Sequence, residues 1–447
     1  MLMRLFHKSI VPLIIAIITL CASNIQWGRE SWKDIIEADG KGYYAYLPAA
    51  FIYHDLSFSF FDSIEKKYPN PHIYYDYRMN AEGGAVNKYY SGTALAMAPF
   101  FLVAHAVAKI TGADPDGYSK IYPLMINVAA IFYLLAALLF LRRLLRSFGI
   151  KERISSFILV AIVFGTNVFY YTVCEPAMSH IYSFAFITAF VYFTREFFLS
   201  QERKTLFILS FLLGMIVLIR PVNGLIVLLI PFSGGNTGLK SAWNWLLRNK
   251  AAGFISAIIV LSVISIQLII YRIQTGHFFV YAYGAETFNW SDPHPLDFLV
   301  SYKKGLFLYT PLVLLSASGL FVLFKNDKFR FWSLLLFLLI LLYVLSSWWN
   351  WWYGGSFSSR VSLDYFSIPA LLLGLFCKEL KTKISKGILS ALVIGCIVLC
   401  QVQTFQYRYY LIHWEKMDRE HYWRVFMKLD KIGKENPNAD LLEEKAL

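Results

Sequence analysis

The sequence predicts an all-α integral membrane protein with about eleven transmembrane helices and a long first extracytoplasmic loop carrying juxtamembrane helices. Three observations predict it. Of 447 residues, 57% are apolar and only 16% are charged, whereas soluble domains carry about a quarter. Mean hydropathy is +0.50, which also excludes a disordered chain. Finally, apolar stretches near the length of a bilayer core recur along the chain, separated by short basic clusters.

The first apolar run, Ile10 to Leu20, follows Arg4 and Lys8 and reads as a signal anchor rather than a cleaved signal peptide. Further spans are expected at about 119–141, 154–173, 177–194, 251–271, 306–324, 331–347, 362–377 and 388–405. Segment 205–232 is interrupted at Arg220-Pro221 and reads either as a hairpin of two short helices or as one span. Loop charge favours the hairpin. With it, the inside loops hold 20 of the 42 basic residues and five of the 29 acidic ones, as cytoplasmic loops should. The run 92–110 carries Gly92, Pro99 and His105 and reads as an outer juxtamembrane or re-entrant helix. The transmembrane domain is thus 1–405, with outer loops at about 24–118 and 273–305, and 406–447 is an amphipathic extracytoplasmic tail suited to lying on the membrane surface.

The formal charge of +13 follows from the same loop bias, so nucleic acid is not an expected partner. Cys21, Cys174, Cys377, Cys396 and Cys400 show no Cys-x-x-Cys pair and no zinc-ligand spacing. No nucleotide-binding glycine motif is present. No cofactor is required, and a divalent metal such as Mg or Mn is not indicated. Asn289-Trp-Ser291 matches a glycosylation triplet, which arises readily by chance.

Polar residues concentrate at outer membrane-entry positions. Asp39, in Glu37-Ala-Asp39-Gly-Lys-Gly-Tyr43, lies about a dozen residues past the first span, where a carboxylate within hydrogen-bond reach of a hydroxyl can act as general base. A solvated loop carboxylate is the bland alternative. Glu175 falls where one span turns into the next, with His180 about a turn later; an interfacial cap is its alternative. Arg220, Lys303, Lys304 and Arg360 break the inside bias and sit where a lipid phosphate would lie; Arg suits bidentate phosphate contacts and Lys supplies a point charge. Tyr43, Lys88, His294 and Asp364 are further candidates. Trp348, Trp349, Trp351 and Trp352 read as an aromatic belt.

Five places in this order resemble the C-type polytopic glycosyltransferases, a group similar to protein O-mannosyltransferases, lipid A aminoarabinose transferases and rhizobial lipopolysaccharide core transferases. They are Asp39–Pro48, Asn87–Leu95, Glu175, Leu218–Pro221, and the pair Lys303–Pro311 with Trp351–Arg360, together covering about residues 10–375. The resemblance implies an inverting transfer from a polyprenyl-phosphate-linked sugar to a glycan, lipid or protein acceptor. It implies Asp39 as base with Glu175 assisting, and a bacterial inner-membrane location with the site facing the periplasm. Departures are Gly40 where the mannosyltransferases have a second acid, Ser91-Gly92 in place of a Pro-Pro pair, and no large C-terminal soluble domain. The rival readings are a lipid-linked sugar flippase or transporter, and a polysaccharide polymerase or ligase relying on His277, His294 and Arg360.

Overall fold

The computed structural model describes residues 2–69 and 74–429, and the side chains from Ser9 onward. Helices carry the chain back and forth between two ends. At one end lie basic clusters. Arg142 pairs with Glu152 at 2.6 Å and Arg330 with Asp327 at 2.6 Å. Other cations there donate to main-chain carbonyls, Arg195 to Ser233, Arg330 to Phe232 and Lys378 to Phe148. Such carbonyls at helix ends lack intrahelical partners and attract positive charge. Asp39, Arg220 and Arg360 all lie at the other end.

Among the described residues, seven helices are long and apolar enough to cross a membrane: Ser9–Gln26, Gly92–Thr111, Ile121–Ser147, Pro221–Arg248, Lys250–Thr275, Lys328–Ser346 and Lys383–Arg408. Of the other stretches expected to span, 177–194 forms an unbroken helix, Ser179–Ser200, and the rest are shorter or broken. Thr166-Asn167 divides Glu152–Phe164 from Val168–Val173, and Ser367–Glu379 has 13 residues. Segment 306–326 is three short helices, one of them opened by Pro311. Val168–Val173 and most of Ser367–Glu379 are buried among neighbours, where freed backbone groups find partners inside the protein.

The segment around Arg220 reverses direction. Helix Arg203–Ile219 ends where Arg220 adopts extended angles, and Pro221 opens a 3-10 helix through Leu229. The chain then returns, with Arg203 donating to Asn249 at 3.0 Å. The start of the outgoing helix and the end of the returning one therefore lie side by side, and Arg220 sits at the tip.

Helix Gly92–Thr111 runs along the site-proximal half of Ile121–Ser147: Ala96 accepts from the Tyr133 hydroxyl, and His105 meets Tyr122. Its sequence is long enough to span, yet it stays away from the Arg142 end. Gly92 fixes its start. A Cβ there would overlap the backbone of Leu218 and Ile219, immediately before Arg220.

The first long loop contains one feature outside the all-α expectation. Arg78–Ala81 pairs antiparallel with Gly84–Asn87. Glu82 and Gly83 both have positive φ, the geometry of a tight hairpin turn. The segment after 405 also differs from expectation: its helix, Arg419–Val425, is short and packs inward rather than lying free. Gln406 donates to the Val425 and Lys428 carbonyls, and Trp423 to the Tyr302 hydroxyl at 3.2 Å. Residues 430–447 of that tail lie outside the described residues.

Replacing Gly92 with Ala is expected to force the Leu218–Ile219 backbone apart and to lower stability by about 1–3 kcal/mol. A depressed Tm of the detergent-purified variant, with Gly253→Ala (open space around the Cβ) as the neutral control, is the check.

Candidate functional site

Asp39 begins the helix Asp39–Pro48, on a backbone that Ala38 turns with φ of 44° and ψ of −128°. Few L-residues adopt these angles, and the strain persists only where surrounding packing holds it. Gly40 supplies part of that packing, since a Cβ there would lie 2.8 Å from the Ala177 Cβ. The turn bearing Asp39 is thereby pressed against the turn bearing Glu175. Ser358, two residues before Arg360, also has positive φ, 59°. Strained backbone thus precedes both halves of an ion pair in which Arg360 Nη2 lies 2.7 Å from Asp39 Oδ2. The Tyr89 hydroxyl donates to Asp39 Oδ1 at 2.7 Å and is itself bonded to the Tyr75 hydroxyl. Burial pushes the Asp39 carboxyl upward, but Arg360, Tyr89 and Lys88 outweigh it and hold it below the usual carboxylate range. Lys88 is anchored by Glu286 at 2.6 Å, which ties loop 273–305 to this edge.

A second arginine–carboxylate group lies alongside. Asp364 is fully buried; its Oδ1 meets His180 Nδ1 at 2.9 Å and its Oδ2 accepts from Asn223 at 2.7 Å. The Tyr365 hydroxyl donates to Asn223 Oδ1 at 3.0 Å. Arg220 Nε lies 3.8 Å from Asp364 Oδ2, and its Nη1 contacts the His180 ring. Tyr43 joins the two groups, because its hydroxyl lies within electrostatic reach of Arg220, Asp39 and Arg360 together.

Glu175 completes the carboxylates. It accepts from the Tyr170 hydroxyl at 2.8 Å and feels Arg360, Asp39 and Lys304. Burial pushes its carboxyl up to about 7, against the opposing pull of Tyr170 and Arg360. A carboxyl of that pKa exchanges protons near neutrality, as an acid–base group must. Lys304 is only 3% exposed. It donates to the Ser356 carbonyl and lies over the Tyr407 ring at 5.0 Å. Burial pushes its ammonium down to about 7, with Glu415 and Glu175 opposing.

The structure therefore gathers Asp39, Tyr43, Lys88, Glu175, His180, Arg220, Arg360 and Asp364 around one site. Lys304 lies next to it, within electrostatic reach of Glu175 and Arg360, with its ammonium turned to the Ser356 carbonyl. Lys303 stands apart, paired with Glu415 at 3.0 Å and stacked on Trp352 at 3.4 Å. His294 is also apart: 38% exposed, bound to Asp297 at 3.2 Å and stacked against Trp351. Both sit next to the site's elements in sequence, but short local partners take their side chains. Sequence reasoning passed over Tyr89, Tyr75, Asn223 and Glu286. Tyr89 adjoins Lys88 and Asn223 follows Arg220 by three residues, so proximity to a flagged cation was the available signal. Among the described residues no group of three or more His, Cys, Asp or Glu converges as a metal site.

No protein-family model matches the sequence, and no curated protein does either. Two solved structures of an Archaeoglobus fulgidus oligosaccharyltransferase are similar in fold. One is AglB in complex with an inhibitory peptide and a dolichol-phosphate, with a TM-score of 0.47 and 13% identity over 97% of this chain. The other is the apo form, with a TM-score of 0.44 and 13% identity over 97% of this chain. The present chain spans 61% of each of those longer chains.

The buried charges give a pH signature. Between the ordinary carboxylate pKa and about 7, the folded chain holds a proton on Glu175 that the unfolded chain has lost. Glu175 therefore costs stability as pH rises through that window, and the full cost persists above it. Lys304 has the opposite slope, its cost being present below about 7 and relieved as pH rises from there toward 10.5. Glu175→Gln is expected to raise Tm relative to the parent at pH 8 and to lose that advantage by pH 5. Thermal unfolding of both proteins across that range is the measurement.

Proposed function

We propose that the chain is a membrane glycosyltransferase that moves a sugar from a polyprenyl-phosphate-linked donor to an acceptor on the same side of the membrane, with inversion. The observation that carries this reading is the convergence of one candidate base, Asp39, with two arginines, Arg360 and Arg220, at the site end of a bundle of apolar helices. A phosphate-linked lipid donor needs this set: cations for a phosphate leaving group, a carboxylate for the incoming hydroxyl, and apolar flanks for the lipid.

In this reading the acceptor oxygen attacks the anomeric carbon from the face opposite the phosphate. The acceptor's proton passes to an Asp39 oxygen, the glycosidic bond forms, and the carbon–oxygen bond to phosphate breaks with its electron pair on the phosphate. Arg360 and Arg220 stabilise the charge that develops there. Guanidinium groups suit this step because they stay charged and present several donors in a plane. Asp364, with its oxygens bound to His180 and Asn223, orients Arg220 rather than touching substrate. Glu175, with a pKa near 7, is placed to assist by carrying a proton or by steadying positive charge on the sugar.

The polymerase or ligase reading relied on His277, His294 and Arg360 acting together. His294 is instead engaged at the surface by Asp297, and His277 is exposed just past the end of helix Lys250–Thr275. Arg220-Pro221 suited a transporter only if 205–232 were a single span, and the chain reverses direction there.

The experiment is release of polyprenyl phosphate by the purified chain from a panel of polyprenyl-phosphate sugars, with a crude envelope extract supplying acceptor. Asp39→Asn is expected to cut turnover about 10²–10⁴-fold, the usual contribution of general-base catalysis. Turnover that survives in the folded variant removes Asp39 from the role of base. Arg220→Ala is expected to lose turnover as well, whereas Lys303→Ala, outside the site, keeps most of it.

A further inference from the structure

The Asp39–Arg360 pair presents a difficulty for the transferase reading. The base and the phosphate-binding cation occupy each other. The contact lies between Arg360 Nη2 and Asp39 Oδ2 at 2.7 Å. It is not the side-on fork through Nε and Nη2 in which arginine–carboxylate pairs are strong, because Nε takes no part in it. Arg360 Nε is buried with no hydrogen-bond partner among the described residues. The guanidinium therefore has donor capacity that the carboxylate does not use, at a position where an unmet donor is costly.

Asp39 has a second hold that does not depend on Arg360. Its other oxygen accepts from Tyr89, and Tyr89 is fixed in turn by Tyr75 and by packing against Gly42, where a Cβ would overlap its ring. If Arg360 swings to another anion, Asp39 stays in place. The Arg220 group is built differently. Asp364 is fully enclosed and both its oxygens are taken, by His180 and Asn223, while Arg220 Nε stands 3.8 Å away.

We propose that the Asp39–Arg360 ion pair is a latch opened by the donor: the donor's phosphate displaces Asp39 from Arg360, and only the carboxylate so released takes the acceptor's proton. The inference rests on the transferase reading and deepens it. Its driving force is charge balance. Arg360 is paired with Asp39 and Arg220 with Asp364, so an arriving phosphodiester adds a negative charge that neither pair balances. That charge claims Arg360 and raises the affinity of Asp39 for a proton, since a carboxylate loses its cation and gains an anionic neighbour. The order of binding is then fixed, donor before acceptor. After transfer, departure of the lipid phosphate returns Arg360 to Asp39 and expels the proton.

The test is binding of undecaprenyl phosphate to the purified full-length chain in lipid nanodiscs. If Asp39 competes with phosphate for Arg360, removing its charge improves lipid-phosphate binding while abolishing turnover. Asp39→Asn is expected to bind roughly three- to tenfold more tightly than the parent, the scale of one lost competing charge contact. Asp39→Ser, which removes the same charge with a smaller side chain, is expected to shift in the same direction and serves if the first variant fails to fold. Arg360→Ala is expected to bind more weakly, and Asp39→Asn added to it to bring no gain. Parent binding with unchanged or weaker binding by both Asp39 variants overturns the latch and leaves the transferase reading standing. No binding by the parent chain overturns the donor class, and the latch with it.

Discussion

The contact between Asp39 and Arg360 is the constraint on which the rest of this structure depends. It joins the first loop to the last third of the chain, and both partners are drawn out of water, with side-chain exposures of 17% and 14%. Removing two charges from solvent is unfavourable unless their attraction and further hydrogen bonds offset it. Tyr89 and Lys88 supply the carboxylate with such partners. Several features elsewhere serve to hold the two groups at this spacing. Ala38 and Ser358 carry strained backbone just before each partner, and Gly40 lets the Asp39 turn press against the Glu175 turn. Lys304 grips the Ser356 carbonyl four residues before Arg360.

The second dependence runs through Arg220. A long apolar segment that reversed gradually would leave its polar groups scattered. Here the extended backbone at Arg220 and the proline after it make one sharp tip. Gly92 allows another helix to start directly against that tip. Asn223, one turn of the 3-10 helix later, reaches Asp364 and Tyr365 and so locks the tip to the segment that follows Arg360. Both arginines are thereby anchored to the same stretch, 360–365.

Much of this was legible in the sequence, and the limits have physical reasons. Apolar runs show where helices lie because burial and hydropathy are written in composition. Arg220 and Arg360 stood out because they sit beside apolar runs at outer membrane-entry positions, against the inside bias of basic residues. Asp39 and Glu175 stood out as carboxylates beside apolar runs. What sequence could not show is which polar side chains are taken by local partners. Lys303 and His294 have the same type and neighbourhood as residues in the site, but Glu415 and Asp297 capture them. Lys304 lies next to Lys303, yet it is buried where its neighbour is not. The short hairpin at Arg78–Asn87 was hidden because four-residue strands carry too little alternation to read. Tyr75 and Tyr89 were hidden by abundance, since 29 tyrosines make any one of them hard to single out.

The two arginine–carboxylate groups look alike in composition and differ in what they can do. Asp364 has no exposed surface and satisfies three neighbours, so moving it would strand His180, Asn223 and Arg220 at once. Breaking such a group costs several kcal/mol because buried polar atoms lose their partners together. It acts as part of the scaffold. Asp39 keeps some exposure and meets Arg360 at Oδ2. Its other oxygen has an independent donor in Tyr89. Exchange of Asp39 for another anion at Arg360 therefore leaves the carboxylate held by Tyr89. One group fixes a cation in space and the other holds a cation until something better arrives, which is the division of labour that binding and proton transfer at a shared phosphate require.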